Sequence, residues 1–163
     1  MRAASRHAPQ FLGLAAALAF AGVAAALVSQ HVYDMQPCAW CVLQRVIFIA
    51  IGLVALAGLL WRTRTGTLAV SAGAVLLAGC GVASALWQHF VAASSTSCRL
   101  TLADRIVGSL GLDGLAPEVF AARASCAEAS VAMLGVPYAL WSLALFVVLG
   151  AIAAWVAIGA ARR

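Results

Sequence analysis

Four long stretches with almost no charged side chains constrain this chain more than any other feature. They cover residues 11–29, about 42–61, 67–88 and 137–160. A helix needs about 20 mostly apolar residues to cross a membrane, and each stretch is near that length. Hydrophobic residues make up 65% of the chain and charged residues 9%, against about 45–50% apolar content in soluble domains. We therefore predict an all-α membrane protein of one domain, residues 1–163, built as a four-helix bundle.

The first stretch invites comparison with a secretory signal, because Arg2 and Arg6 precede an apolar run. Its 19 uncharged residues exceed the core of about 7–15 residues that is typical of a signal peptide. We therefore expect it to remain as the first membrane span.

The charges divide between the two sides that four spans create. One side carries arginines and no carboxylate: Arg2, Arg6, Arg62, Arg64, Arg162 and Arg163. The other side carries every carboxylate of the chain: Asp34, Asp104, Asp113, Glu118 and Glu128. Because basic residues favour the cytoplasmic side of a membrane, we predict that both termini are cytoplasmic and that the loops at about 30–41 and 89–136 are extracytoplasmic.

The longer outer loop has apolar positions at mixed helical spacing, broken by glycines and Pro117. Such a pattern is typical of short amphipathic segments on a membrane surface. An ordinary loop that caps the bundle would give the same pattern, so both interpretations stay open.

Four of the five cysteines fall in the two outer loops. Cys38 and Cys41 form a C-A-W-C motif in the first loop, and Cys98 and Cys126 lie in the second, whereas Cys80 lies within a span. An extracytoplasmic compartment permits disulfides. A C-x-x-C pair closes a very small ring and is more often redox-active than structural.

Other uses of these cysteines can be weighed from the sequence. A zinc site commonly takes two closely spaced Cys/His pairs, and only one such pair is present, so we expect no metal. Haem attachment needs a histidine after C-x-x-C, but Val42 follows Cys41. Two inert structural disulfides remain an alternative.

The position of Arg45 supports a redox role for the neighbouring cysteines. The 16 uncharged residues between Arg45 and Arg62 span about 24 Å as a helix, less than the hydrocarbon core of about 30 Å. Arg45 should therefore lie at the membrane interface or slightly inside it. A cation at the start of a helix opposes the helix dipole, which suggests a functional reason for its presence, although an arginine snorkelling to the interface is an alternative.

Cys41 and Arg45 are four positions apart, so their side chains share one face if the helix begins by Cys41. A helix N-terminus and a nearby guanidinium both favour a thiolate. A thiolate beside a cation at the membrane edge suggests an electron acceptor dissolved in the bilayer, such as a quinone.

Residues 37–45 read P-C-A-W-C-V-L-Q-R, which resembles the P-C-x-x-C-x-x-Q-R signature of the disulfide bond formation protein B family, DsbB. The resemblance to that family covers nearly the whole chain. It includes the four spans, the C-x-x-C before the second span and the cysteine pair in the long loop. The resemblance implies a thiol:quinone oxidoreductase of the bacterial inner membrane that reoxidises a periplasmic DsbA-like protein with a thioredoxin fold.

The resemblance also implies roles for the cysteines. Cys98 would be attacked by the reduced partner, and the released Cys126 would attack Cys38. Cys41 would then be freed as a thiolate beside ubiquinone or menaquinone. Arg45 would stabilise that thiolate and the developing quinol charge.

Two further residues are candidate quinone neighbours. Gln44 follows Cys41 by three positions, and His89 lies at the outer end of the third span. Gln44 has a second reading as a polar first-turn residue, and His89 as a residue of the interfacial aromatic belt. The alternatives for the whole chain are a vitamin K epoxide reductase-like enzyme and a non-enzymatic four-span scaffold.

Overall fold

Four long helices form the body of the protein in a computed structural model that describes residues 7–94 and 101–162. They are α1 (Ala8–Val32), α2 (Ala39–Leu60), α3 (Arg64–Phe90) and, after the long loop, α7 (Tyr138–Ala161). Each is long and apolar enough to cross a membrane, which confirms the predicted four-helix membrane protein. Helices α1 and α3 extend beyond their uncharged stretches at both ends, whereas α2 and α7 end and begin, respectively, one residue inside them. Helix α2 begins early enough to place Cys41 in its first turn.

The long loop carries three short helices: α4 (Leu102–Ser109), α5 (Leu112–Leu115) and α6 (Pro117–Phe120). A capping box starts α4, since the Thr101 hydroxyl accepts from the backbone of Asp104 and the Asp104 carboxylate accepts from the backbone of Thr101. Ala103 and Val107 are buried, and α4 contacts α2. The loop therefore caps the bundle.

The long loop also contains a short two-stranded hairpin, which the sequence did not predict. Strand β1 (Ala132–Met133) pairs antiparallel with β2 (Val136–Pro137), immediately before α7. Leu134 and Gly135 form its turn with φ values of 55° and 78°. Two consecutive positive φ values match the type I′ turn that suits tight hairpins. Leu134 adopts a conformation that is uncommon for a residue with a side chain, and it is 86% exposed.

The described charges separate along the bundle. Asp34 and the four carboxylates of the long loop lie at the end that holds both loops, which we call the loop end, whereas Arg62, Arg64 and Arg162 lie at the opposite end. Arg64 donates hydrogen bonds to the carbonyls of Ala160 and Ala161. These contacts satisfy backbone acceptors at the end of α7 that the helix itself leaves free.

Large buried side chains pack against each other in the middle of the bundle. The rings of Phe48 on α2 and Phe146 on α7 stack with centroids 4.0 Å apart, and Ile51 and Leu149 are almost fully buried. A Cβ placed on Gly81 of α3 would lie 2.3 Å from the Phe146 ring. Gly81 is therefore required for the close approach of α3 and α7.

Gly81→Ala should destabilise the bundle by about 1–3 kcal/mol, because the added methyl group overlaps a fully buried ring. Thermal unfolding of the detergent-solubilised protein measures the change. Gly79→Ala is the matched control on the same helix, since a Cβ at Gly79 would meet no described atom within 4 Å apart from its chain neighbours and its own helix backbone. Equal unfolding temperatures for the two variants would contradict the packing argument.

Candidate functional site

Three cysteine sulfurs meet at the start of α2. Cys38 is the N-cap residue of this helix and Cys41 lies in its first turn, with the two Sγ atoms 3.2 Å apart. The thiol of Cys126, from the long loop, forms a hydrogen bond with Cys38. The structure thus brings together three of the four predicted redox cysteines. Cys98 lies outside the described residues.

Backbone contacts between the two loops bring Cys126 to this position. The carbonyl of Pro37 accepts hydrogen bonds from the backbone amides of Arg123 (2.9 Å) and Ala124 (3.2 Å). Pro37 lies in the irregular segment before α2, so its carbonyl is not part of a helix and can accept from the long loop. The segment just before Cys126 is therefore fastened to the residue just before Cys38.

The hydrogen bond between Cys38 and Cys126 affects the two thiols in opposite directions. It raises the pKa of Cys38 to about 12, and burial adds to that increase. The same hydrogen bond lowers the pKa of Cys126 below its usual value of 9.0. In the reduced protein Cys126 is thus the better nucleophile and Cys38 the proton donor.

A small cavity gives access to Cys126. Its volume is about 270 Å³, enough for a small reagent. The wall of this cavity beside Cys126 includes four polar residues, Thr101, Asp104, Ser125 and Glu128. Hydrogen bonds from Ser125 hold the pKa of the exposed Glu128 carboxyl below its usual range, so Glu128 is charged at neutral pH.

Arg45 lies on α2 one turn after Cys41 and is only 5% exposed. Its Nη1 atom donates to the Gln30 side chain (2.7 Å) and to the Val119 carbonyl (2.8 Å), and Nη2 donates to the Ala26 carbonyl (3.3 Å). Its Nε atom is buried and has no hydrogen-bond partner in the part of the chain that the structure describes. Within the described residues no carboxylate lies within ion-pair distance of this guanidinium.

Gln44 is buried and donates from Nε2 to Oε1 of Gln88 on α3, at 2.6 Å. Gln88, also buried, donates from Nε2 to the sulfur of Cys41, at 3.1 Å. Gln88 was not among the site residues predicted from the sequence. Its only signal was a glutamine in the last turn of an otherwise apolar span, where a polar side chain is costly without a partner.

Two cavities adjoin Cys41 and Arg45. The apolar cavity, about 530 Å³, lies between α1, α2, α7 and the hairpin. Its wall includes the following side chains: Val28, Phe48, Met133, Trp141 and Leu145. The polar cavity, about 600 Å³, opens at the loop end and carries charged or polar groups: Asp34, Gln36, Arg123 and Glu128. The residues that line both cavities include Cys41, Arg45, Ser29 and Tyr138.

His89 is placed differently from Gln44 and Arg45. Its ring packs against Phe90 at a centroid distance of 4.8 Å, and it lines neither the polar nor the apolar cavity. His89 is the next residue after Gln88, so its side chain is rotated by about 100° around the helix axis from that of Gln88, which points inward. Tyr138 and Trp141 line the apolar cavity instead, and Trp141 donates to the Met133 carbonyl of the hairpin.

Comparison with known proteins identifies the family. The family model "Disulfide bond formation protein DsbB" matches residues 8–156, nearly the whole chain. The chain belongs to the DsbB family. It is a multi-pass membrane protein of disulfide bond formation, and it is a disulfide-forming oxidoreductase in the general sense that the family name gives.

Several relatives carry the name "Disulfide bond formation protein B". The one from Aromatoleum aromaticum is 36% identical over 121 residues, covering 72% of each chain. The one from Ralstonia nicotianae is 35% identical over 147 residues, covering 85% of this chain and 87% of the relative. The one from Stutzerimonas stutzeri is 32% identical over 137 residues, covering 82% and 84%. No solved structure matched the chain.

Cys38→Ala should raise the pKa of Cys126, because the hydrogen bond from Cys38 is the main cause of its low value. Alkylation of Cys126 in the reduced protein should therefore move to higher pH by about one unit. Site-resolved mass spectrometry after timed alkylation measures this shift. Cys80→Ala should leave the profile unchanged, and an unshifted profile in Cys38→Ala would show that the hydrogen bond does not control Cys126.

Proposed function

We propose that this DsbB-family protein is a thiol:quinone oxidoreductase that reoxidises a DsbA-like protein. The observation that carries the proposal is Arg45, a buried cation that has no carboxylate partner among the described residues and lines an apolar cavity together with Cys41. A buried charge is costly unless a ligand or fixed dipoles compensate it. A carbonyl oxygen of a quinone is an acceptor of the required kind.

The residues of the apolar cavity fit a quinone ring. The cavity offers aromatic and aliphatic walls for a flat ring, and its polar groups cluster where Cys41, Arg45 and Tyr138 meet. The Nε atom of Arg45 is a buried donor that no group in residues 7–94 and 101–162 uses. A few convergent polar groups in an apolar pocket are typical of small-molecule sites.

Arg45 and Cys41 would hold the quinone head, with Gln44 and Tyr138 beside them. When bound, the quinone supplies an acceptor for two electrons and two protons. Ubiquinone and menaquinone both have this chemistry. His89 stays a prediction as a neighbour of this site.

The cysteines of the chain would carry out the thiol exchange. Following the family resemblance, the reduced partner attacks Cys98 and releases Cys126. The Cys126 thiolate then forms a bond to Cys38 and breaks the bond between Cys38 and Cys41, which leaves the electron pair on Cys41. The contact between Cys126 and Cys38 supports this step, because exchange requires the two sulfurs to approach directly.

Completion of the cycle follows the same exchange chemistry. The second cysteine of the partner resolves the mixed disulfide and frees Cys98, which displaces Cys38 from Cys126. Two electrons then reside on Cys38 and Cys41, and the partner leaves oxidised. Arg45 stabilises the Cys41 thiolate through its positive charge at the start of α2.

The proposed location is the bacterial inner membrane, with both termini cytoplasmic and both loops in the periplasm. The separation of charges supports it, because the described arginines Arg62, Arg64 and Arg162 lie at the end opposite the loops. Basic residues near span ends favour the cytoplasmic side. The free thiols at the loop end would then meet an oxidising compartment.

Turnover with a quinone tests the proposal directly. Purified protein at catalytic amounts should consume the absorbance of a soluble ubiquinone analogue when a reduced DsbA-like protein is added. Cys41→Ser should abolish the change, since no thiol would lie beside Arg45, whereas Cys80→Ser should retain it. Absence of consumption with ubiquinone and menaquinone analogues and the matched partner would refute the quinone step.

Arg45→Ala should raise the apparent KM for the quinone about tenfold or more, because it removes a charged hydrogen-bond donor. Exchange between the partner and the loop cysteines, followed by trapping the mixed disulfide, should persist. Arg123→Ala is the matched control, since Arg123 also lines the polar cavity but pairs with Glu118. An unchanged KM in Arg45→Ala would exclude Arg45 from the quinone site.

A further inference from the structure

The sulfur of Cys41 has a polar neighbour on α3 in addition to the arginine on its own helix. Nε2 of Gln88 donates to Cys41 Sγ at 3.1 Å, and Gln88 is only 3% exposed. An amide donor lowers the free energy of a thiolate more than that of a thiol, because the thiolate is the stronger acceptor. The contact therefore favours the charged form of Cys41.

Gln44 determines which end of the Gln88 amide faces the sulfur. Its Nε2 donates to Oε1 of Gln88 at 2.6 Å, so the Gln88 oxygen is occupied and its NH₂ group is directed at Cys41. Without Gln44, the Gln88 amide could turn its oxygen towards the sulfur and accept from a thiol instead. The orientation seen here is the one that suits a thiolate.

The placement of the three residues follows from helix geometry. Cys41 and Gln44 are three positions apart on α2, so both can face the outer end of α3. Trp40 and Trp87, with ring centroids 6.4 Å apart, pack the same two helix segments against each other. The amide pair is thus held by rigid helices, unlike Cys126, which comes from the long loop.

A purely structural role for the amide pair leaves one contact unexplained. Two glutamines that only joined α2 to α3 would need the hydrogen bond between them and nothing more. The remaining donor of Gln88 is directed at the one side chain of α2 to which the proposed function assigns electron transfer. Burial of both amides strengthens this hydrogen bond, since water does not compete for it.

We propose that Gln88 is a catalytic residue that stabilises the Cys41 thiolate and that Gln44 is a positioning residue that orients the Gln88 amide. The inference rests on the proposed function, in which Cys41 is the leaving group. As the bond between Cys126 and Cys38 forms and the bond between Cys38 and Cys41 breaks, the electron pair stays on Cys41. No proton moves, because the N–H bond of Gln88 remains intact.

The test uses the reduced full-length protein in detergent with no quinone added. Cys41 is alkylated with iodoacetamide over a series of rising pH that continues until the alkylation rate stops increasing, and mass spectrometry reads each cysteine separately. Gln88→Met keeps the length of the side chain and removes the amide. Ser84→Ala is the matched control, because Ser84 is buried one turn earlier on α3 and its hydroxyl donates to the Gly81 carbonyl of its own helix.

In Gln88→Met the pH midpoint of Cys41 alkylation should rise by about one unit, which slows alkylation about tenfold at neutral pH. The plateau rate at high pH should be retained, because the sulfur remains accessible. Gln44→Met should shift the midpoint in the same direction by a smaller amount, although Gln44 makes no hydrogen bond to the sulfur. Ser84→Ala should match the unmodified chain.

Two results would overturn the proposal. One is an unchanged midpoint in Gln88→Met. The other is a drop in rate at every pH, which would indicate altered access and hence a structural clamp between α2 and α3. If Gln88→Met does not fold, the test rests on Gln44→Met. An unchanged pH midpoint of Cys41 alkylation in that variant would then overturn the proposal. Because the measurement needs no quinone, it can fail while quinone turnover succeeds, and the reverse holds equally.

Discussion

The arrangement of the loop end depends on one buried guanidinium. Arg45 donates to the carbonyls of Ala26 on α1 and Val119 on α6 and to the side chain of Gln30. The Gln30 amide in turn donates to the Glu118 carbonyl. Arg45 therefore satisfies fixed backbone dipoles from two elements and fastens the long loop to the bundle. Carbonyl dipoles make burial of the cation tolerable without neutralising its charge.

The absence of a carboxylate beside Arg45, among the described residues, has electrostatic importance. A carboxylate would hold the guanidinium in an ion pair and cancel its field at Cys41. Neutral partners leave that field available to a thiolate in the same apolar surroundings. Cys41 thus has two polar neighbours, and both are hydrogen-bond donors. Arg45 is charged and Gln88 is neutral.

Much of this site could be predicted from the chain. The C-x-x-C motif, its position before the second span and the spacing of Cys41 and Arg45 are local features, and local spacing on a helix determines which side chains share a face. The four helices followed from hydropathy alone. The long-range contact between Cys38 and Cys126 was expected only through the family resemblance, since spacing cannot determine which cysteines meet.

Other parts depend on contacts between elements that are distant in the chain. Whether Gln88 or His89 faces α2 is decided by about 100° of helix rotation, which depends on how α3 packs against α2 and α7. The hydrogen bonds from the Arg123 and Ala124 amides to the Pro37 carbonyl involve backbone groups. Every residue other than proline has both groups, so no residue type in the sequence indicates these bonds. The hairpin before α7 is too short to produce an alternating pattern.

The mouths of the two cavities have a kinetic consequence. Exposed Val28, Leu134 and Trp141 border the apolar cavity, whereas the polar cavity opens at the loop end among Asp34, Arg123 and Glu128. Under the proposed function, a lipid-soluble oxidant would approach through the apolar cavity and a water-soluble protein would approach at the loop end, so the two would use different openings. The proposed cycle would then allow a ternary complex, in which neither substrate must depart before the other arrives.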